Sequence, residues 1–173
     1  MGAANTIEAG HHYDTSWFSS RPHLFQTEFK KSVQFHLDCA YELAAYNSLD
    51  VNKLYGAAWG IRGVHWNSAR FGWFWDAQTQ EMALVAYCYN RGVRNHDAQL
   101  NFPEVARLRL GETVDCSIRV TATDYVFHVT KGDTTIGRIC AVPHSKLPSW
   151  GFTLGLYFGG SEHSPKLMHV WFD

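Results

Sequence analysis

Apolar and polar residues alternate with a period of two over most of the chain, the spacing of a β-strand whose two faces meet different surroundings. In "VQFHLDC", Val33, Phe35 and Leu37 alternate with Gln34, His36 and Asp38. In "EMALVAYCY", Met82, Leu84, Ala86 and Cys88 form one row, and Glu81, Ala83, Val85, Tyr87 and Tyr89 the other. "TVDCSIRV" sets Val114, Cys116, Ile118 and Val120 against Asp115, Ser117 and Arg119, and "YVFHVT" sets Tyr125, Phe127 and Val129 against Val126, His128 and Thr130. Phe152, Leu154, Leu156 and Phe158 align in "FTLGLYF", and "LMHVWF" reads as a last strand. Turn signals separate these runs. Asn90 and Gly92 in "YNRGVR" suit the positive φ of a tight hairpin; "TATDY", "KGDTT" and the longer "FGGSEHSPK" are further turns or loops.

Only two stretches carry helix formers, Asp38 to Asn47 and Phe102 to Leu110. Neither reaches the ~12 residues of a typical helix with clear caps. Roughly eight to twelve short strands with regular turns predict an all-β fold, a β-sandwich of jelly-roll type with at most one or two short helices; a closed barrel is the alternative. A length of 173 residues fits one domain with a sizeable core. The expected boundaries are an N-terminal arm or edge segment over 1–28 and a single sandwich over 29–173. In such a sandwich one sheet is free to present a row of side chains to a ligand.

Charge and cysteine usage narrow the function. A net charge of −1 supplies no broad basic field for duplex nucleic acid. No apolar run approaches the ~20 residues of a membrane-spanning helix, and "MGAANTIEAG" lacks the parts of a signal peptide. It matches a myristoylation pattern only through Gly2 and Thr6. The four cysteines form no C-x-x-C, and Cys88 and Cys116 sit in alternating apolar runs, as buried free thiols do. The expectation is a cytoplasmic protein of a reducing compartment, without a metal or cofactor. An exposed edge strand would offer a route to a homo-oligomer.

The densest chemistry lies in "RGVHWNSARFGWFWD". As a strand, Ala69, Phe71, Trp73 and Trp75 face one way, while Arg70, Gly72 and Phe74 face the other, with Gly72 leaving room beside Arg70. His65, Trp66 and Asn67 fall at the preceding turn, where binding residues concentrate. The next hairpin adds Tyr87, Tyr89 and Arg94, and sequential strands tend to pair. Aromatic planes beside guanidinium forks suit a planar anion: Arg70 and Arg94 would hold phosphate, Trp66, Tyr87 and Tyr89 would stack, and His65 and Asn67 would make polar contacts. Near the N-terminus, His11 and Tyr13 would share one side of an extended segment and contribute contacts or a lid.

Catalytic patterns are incomplete. There is no G-x-S-x-G elbow, no P-loop and no H-E-x-x-H. The hydrophobic-His-x-Thr element of two-histidine phosphoesterases occurs once, in "FHVT" at 127–130, and no facing pair of carboxylates stands out for glycoside hydrolysis. Binding without catalysis needs no matched acid and base.

The stretches "AGHHY", "DVNKLYG", "HWNSARFGW", "VAYCYNRGVR" and "GLYFGGSEHSPKLMHVWF" resemble an uncharacterised family of small β-rich proteins from bacteria and phages. The "YFGG…SP" ending is similar to the last strands of concanavalin-like jelly rolls. The resemblance implies the fold and assigns no functional residue. A phage or mobile-element setting would imply antagonism of host defence by sequestering a nucleotide signal. The sequence therefore predicts non-catalytic binding of a small polar ligand, first a nucleotide-like anion. Lectin-like carbohydrate binding is the alternative, and a phosphodiesterase or polysaccharide-active enzyme the third reading.

Overall fold

The computed structural model describes residues 3–14, 20–43, 50–96, 101–159 and 162–173. Among them the strands in chain order are β1 (Ala3–Ile7), β2 (Pro22–Leu24), β3 (Glu28–Phe35), β4 (Asn52–Trp59), β5 (Asn67–Asp76), β6 (Glu81–Asn90), β7 (Val93–Arg94), β8 (Glu104–Leu108), β9 (Thr113–Val120), β10 (Asp124–Lys131), β11 (Thr134–Thr135), β12 (Cys140–Pro143), β13 (Trp150–Leu154) and β14 (Met168–Phe172). One sheet runs β1-β14-β3-β9-β10-β11, with β12 also on β10. The other runs β2-β13-β4-β5-β6-β7, with β8 also on β6. The predicted all-β sandwich is the observed fold. β1 and β2 lie at the edges of the two sheets, so the N-terminal residues contribute one strand to each. No helix among the described residues is long and apolar enough to cross a membrane.

The core is where the two inner faces meet. Val33, Phe35, Cys116, Ile118, Phe127, Val129 and Val170 come from the first sheet, and Leu54, Phe71, Trp73, Met82 and Leu84 from the second; each is essentially inaccessible to solvent. These are the rows that the alternation marked, because a half-buried strand can satisfy burial only with a two-residue period. Tyr55 sits in this core and donates its hydroxyl to the carbonyl of Cys116 at 2.6 Å, a polar link between the sheets. All four cysteines are buried free thiols.

Several expectations change. Leu37 does not continue its row: β3 stops at Phe35, Leu37–Cys39 form one 3₁₀ turn, and Leu37 is 68% exposed. Of the expected helix from Asp38 to Asn47, Asp38 and Cys39 belong to that turn, residues 40–43 are not helical, and residues 44–47 lie outside those described. Between Phe102 and Leu110 the chain forms β8 instead, because β6 has an edge whose backbone groups need partners, and pairing overrides local helix preference. The row through "FTLGLYF" breaks as well. Phe152 lies on the outer face while Leu156 and Phe158 are buried in the core, since β13 ends at Leu154 and the chain turns inward. In the β6–β7 hairpin it is Arg91 and Gly92, not Asn90, that take positive φ (49° and 84°), the pair that a tight twisted turn requires.

Candidate functional site

Strand pairing builds a cluster on the outer face of the second sheet. Arg70 on β5 pairs with Gly56 on β4 and Tyr87 on β6, and Tyr89 pairs with Arg94. Paired residues point to the same side of a sheet, so these rows gather Arg70, Tyr87, Tyr89 and Arg94. Tyr157 bridges both Lys53 and Tyr13, bringing the N-terminal segment against the same face.

Three cations meet here. Arg70 is half-buried; its Nη2 reaches the carbonyl of Gly155 at 3.4 Å, and its buried Nε has no hydrogen-bond partner among the described residues. Burial lowers its pKa to about 10, against the opposing influence of Tyr87, Tyr157, Tyr89 and Tyr13 around it. Lys53 is 9% exposed and donates to the carbonyl of Gly159 at 2.8 Å. Its ammonium lies 5.0 Å from the Tyr87 ring centroid and 5.4 Å from that of Tyr157. Burial first, then the charge of Arg70, brings Lys53 down to about 8; Asp50 works against this and Arg94 with it. Hydrogen bonding to Tyr87 raises Arg94, whose guanidinium lies 5.7 Å from the Phe102 ring centroid. Burial, then hydrogen bonding to Tyr87, pushes Tyr89 up to about 12, so its hydroxyl keeps its proton and can donate.

The sequence candidates divide. Arg70, Arg94, Tyr87, Tyr89 and Tyr13 are brought together, and His65 touches the group edge-on through Tyr89 at 5.1 Å. Asn67 is buried, and its Oδ1 accepts the backbone N–H of Arg91 at 3.0 Å, so it holds the hairpin turn. Trp66 packs along Gly92 and carries the Arg62 guanidinium 4.5 Å over its ring. His11 is exposed and held through its backbone to Glu8 and Ser164. Its neighbour His12 faces the cluster, stacked on Tyr157 at 5.2 Å. The space expected beside Gly72 is filled: a Cβ there would meet Val51 at 2.5 Å and Val85 at 2.8 Å.

Lys53, Tyr157 and Phe102 were not singled out by the sequence. Lys53 left one signal, a lone cation inside the otherwise apolar "KLYGAAW", which becomes a fully buried strand. Tyr157 and Phe102 left none, because loop crossings bring them in. The rings here are largely covered. Phe102 stacks on Tyr87 at 4.5 Å and Lys53 lies over the same ring, while Tyr157 carries His12 and Lys53. These neighbours compete with a flat base for the faces of Tyr87 and Tyr157, so the expected nucleotide stacking gains no support from either ring. Beside the cluster, a groove of about 660 Å³ is lined by Phe74, Val85, Phe102 and Arg107 among others.

Fold and site together define a jelly-roll β-sandwich with a cationic and aromatic outer face. No protein-family model matches the chain, and no curated protein matches it in sequence. Among solved structures, an alginate lyase from Klebsiella pneumoniae aligns over 84% of this chain with a TM-score of 0.56 at 10% identity. The chain spans 56% of that enzyme's length. The CBM2 module of the evolved Dit of Lactobacillus casei BL23 phage J-1 aligns over 98% of this chain and 68% of its own, with a TM-score of 0.45 at 13% identity. Chicken galectin 2 aligns over 86% and 96%, with a TM-score of 0.34 at 12% identity. The jelly-roll resemblance holds at the level of fold.

Proposed function

We propose that the outer face of the second sheet binds an acidic carbohydrate, a sugar chain bearing carboxylates, and releases it unchanged. The observation that carries this reading is the Nε of the half-buried Arg70, itself buried and without a partner among the described residues, beside the buried cation Lys53. Holding one buried and one half-buried cation side by side is costly unless an anion completes them. Tyrosine hydroxyls and edges around these cations suit sugar hydroxyls better than a nucleobase. Phe152, 43% exposed, lies on the same face through its pairing with Ala58 and then Ser68, and offers a ring for a sugar to stack on. The fold likeness to an alginate lyase shows architecture alone, so the case rests on the cations.

The test is a thermal-shift panel of alginate oligosaccharides, neutral cello-oligosaccharides and cyclic dinucleotides, followed by mass spectrometry of the recovered ligand. At a hundredfold excess over Kd, linkage gives ~2.7 kcal/mol, a rise on the order of 5–10 °C for a domain of this size. The expected result is a rise with the acidic sugar alone, recovered intact. Stabilisation by nucleotides alone would restore the nucleotide reading, and an unsaturated sugar product would make the protein a lyase.

Lys53 adds a pH signature. Its folded pKa, about 8, lies below its unfolded value, so the unfolded chain binds more protons between the two. Stability therefore rises with pH across that window, as the cost of a buried charge is relieved. Affinity for an anion falls over the same window. Denaturant melts and calorimetry at about pH 7 and about pH 9.5 should show a gain on the order of 2 kcal/mol with a loss of binding. Lys53→Met should remove both trends; parallel trends in that variant would assign them to other groups.

A further inference from the structure

A second cluster of chemistry lies on the other sheet and is independent of the carbohydrate reading. His36 follows the last residue of β3, Asp38 lies in the 3₁₀ turn, and His169 projects outward from β14 between the core residues Met168 and Val170. His36 Nδ1 is 2.9 Å from Asp38 Oδ2, and His169 Nδ1 is 2.6 Å from the same oxygen. All three ligating atoms fall within 4.8 Å of one another. The backbone fixes the frame: the His36 N–H donates to the carbonyl of His169 at 3.1 Å, and the His169 N–H donates to Asp38 Oδ1 at 2.9 Å. Cys39 closes the inner side, its thiol bonded to the carbonyl of His169 at 3.2 Å. The outer side is open, with the His36 side chain 52% exposed.

We infer that His36, Asp38 and His169 bind one zinc ion through two imidazole nitrogens and one carboxylate oxygen, with water in the fourth position. The donor set narrows the metal to the first-row transition ions that imidazole suits, zinc among them, and sets aside calcium and magnesium, which take oxygen ligands. Zinc bonds of ~2.0–2.2 Å place tetrahedral ligand atoms ~3.3–3.6 Å apart. Starting separations between 2.6 Å and 4.8 Å need only small side-chain shifts to reach that geometry. Asp38 is held in place from two sides, by its contacts with the His169 ring and backbone N–H and with the His36 ring. Asp38 Oδ1, bonded to the His169 N–H, gives the carboxylate the outer support that metal ligands commonly have. Three protein ligands and one solvent-facing position are the pattern of sites that accept an exogenous ligand on the metal.

The test is titration of the full chain with zinc chloride in a non-chelating buffer, read by calorimetry and by Tm. One equivalent should bind with a Tm increase that EDTA reverses. His36→Ala and His169→Ala should each weaken binding at least ~10-fold. His36 is the cleaner variant, being half exposed, if His169→Ala disturbs β14. His163→Ala is the control, because His163 lies 4.0 Å from His12 in a separate histidine pair, and binding should persist in it. Absence of zinc binding to the unaltered protein, undiminished binding in the His36 and His169 variants, or loss in His163→Ala would each overturn the assignment.

Discussion

Arg70→Ala is expected to abolish acidic-sugar binding while leaving the fold intact. Removing one member of a buried charge contact costs about 2–5 kcal/mol of binding, a weakening of at least ~30-fold. Stability should hardly fall, because among the described residues the side chain gives up one long hydrogen bond, to Gly155 at 3.4 Å, and its buried Nε has no partner to lose. Removing a desolvated cation also lowers the repulsion on Lys53. Calorimetry and thermal melts on the same sample separate the two effects. Arg70→Lys should recover part of the affinity, since it keeps the charge and loses the planar fork. Unfolding of Arg70→Ala would make Arg70 a structural residue, and unchanged affinity would remove it from the site.

Gly56→Ala should be the most damaging small substitution on this face. A Cβ on Gly56 would lie 2.0 Å from the carbonyl oxygen of Ala69 and 2.7 Å from the Cα of Arg70. Both are backbone atoms of β5, so no side chain can swing aside. β4 is held between β13 and β5, and its register shifts between Lys53 and Gly56. Relief therefore requires the two strands to part where Arg70 is positioned. The expected loss is about 3 kcal/mol or more, near the upper end for overpacking, together with loss of ligand binding. Gly63→Ala is the comparison: its φ is +76° but nothing lies within 4 Å, so only the ~1–2 kcal/mol of left-handed strain applies. Equal melting temperatures for the two variants would contradict the close approach of β4 and β5.

The sandwich was legible because burial on one face leaves a two-residue signature. Tyr125, Phe127 and Val129, or Met82, Leu84, Ala86 and Cys88, needed only their alternation to be placed in the core. Arg70 was legible for the same reason, since Phe71 and Trp73 point to the core and Arg70 cannot. Events between strands were not legible. Nothing local in "FPEVARLRL" tells that the free edge of β6 will recruit it, and nothing in "FTLGLYF" tells that the chain leaves β13 after Leu154. Ring orientation is a further limit. The tyrosines and arginines that suggest base stacking are in place, yet Phe102, His12 and Lys53 cover the faces of Tyr87 and Tyr157. The His36, Asp38 and His169 group was beyond reach for a similar reason, because β14 and β3 meet only through antiparallel pairing across most of the chain.

In the function proposed above, Arg70 and Lys53 recognise carboxylates on a sugar. The most direct measurement compares an alginate trisaccharide with its carboxyl-reduced counterpart by equilibrium binding at neutral pH. The two differ in charge and hardly in shape. Binding of the acid with at least ~30-fold weaker binding of the reduced sugar is the predicted result. Equal affinity for both, or binding of neither, would contradict it.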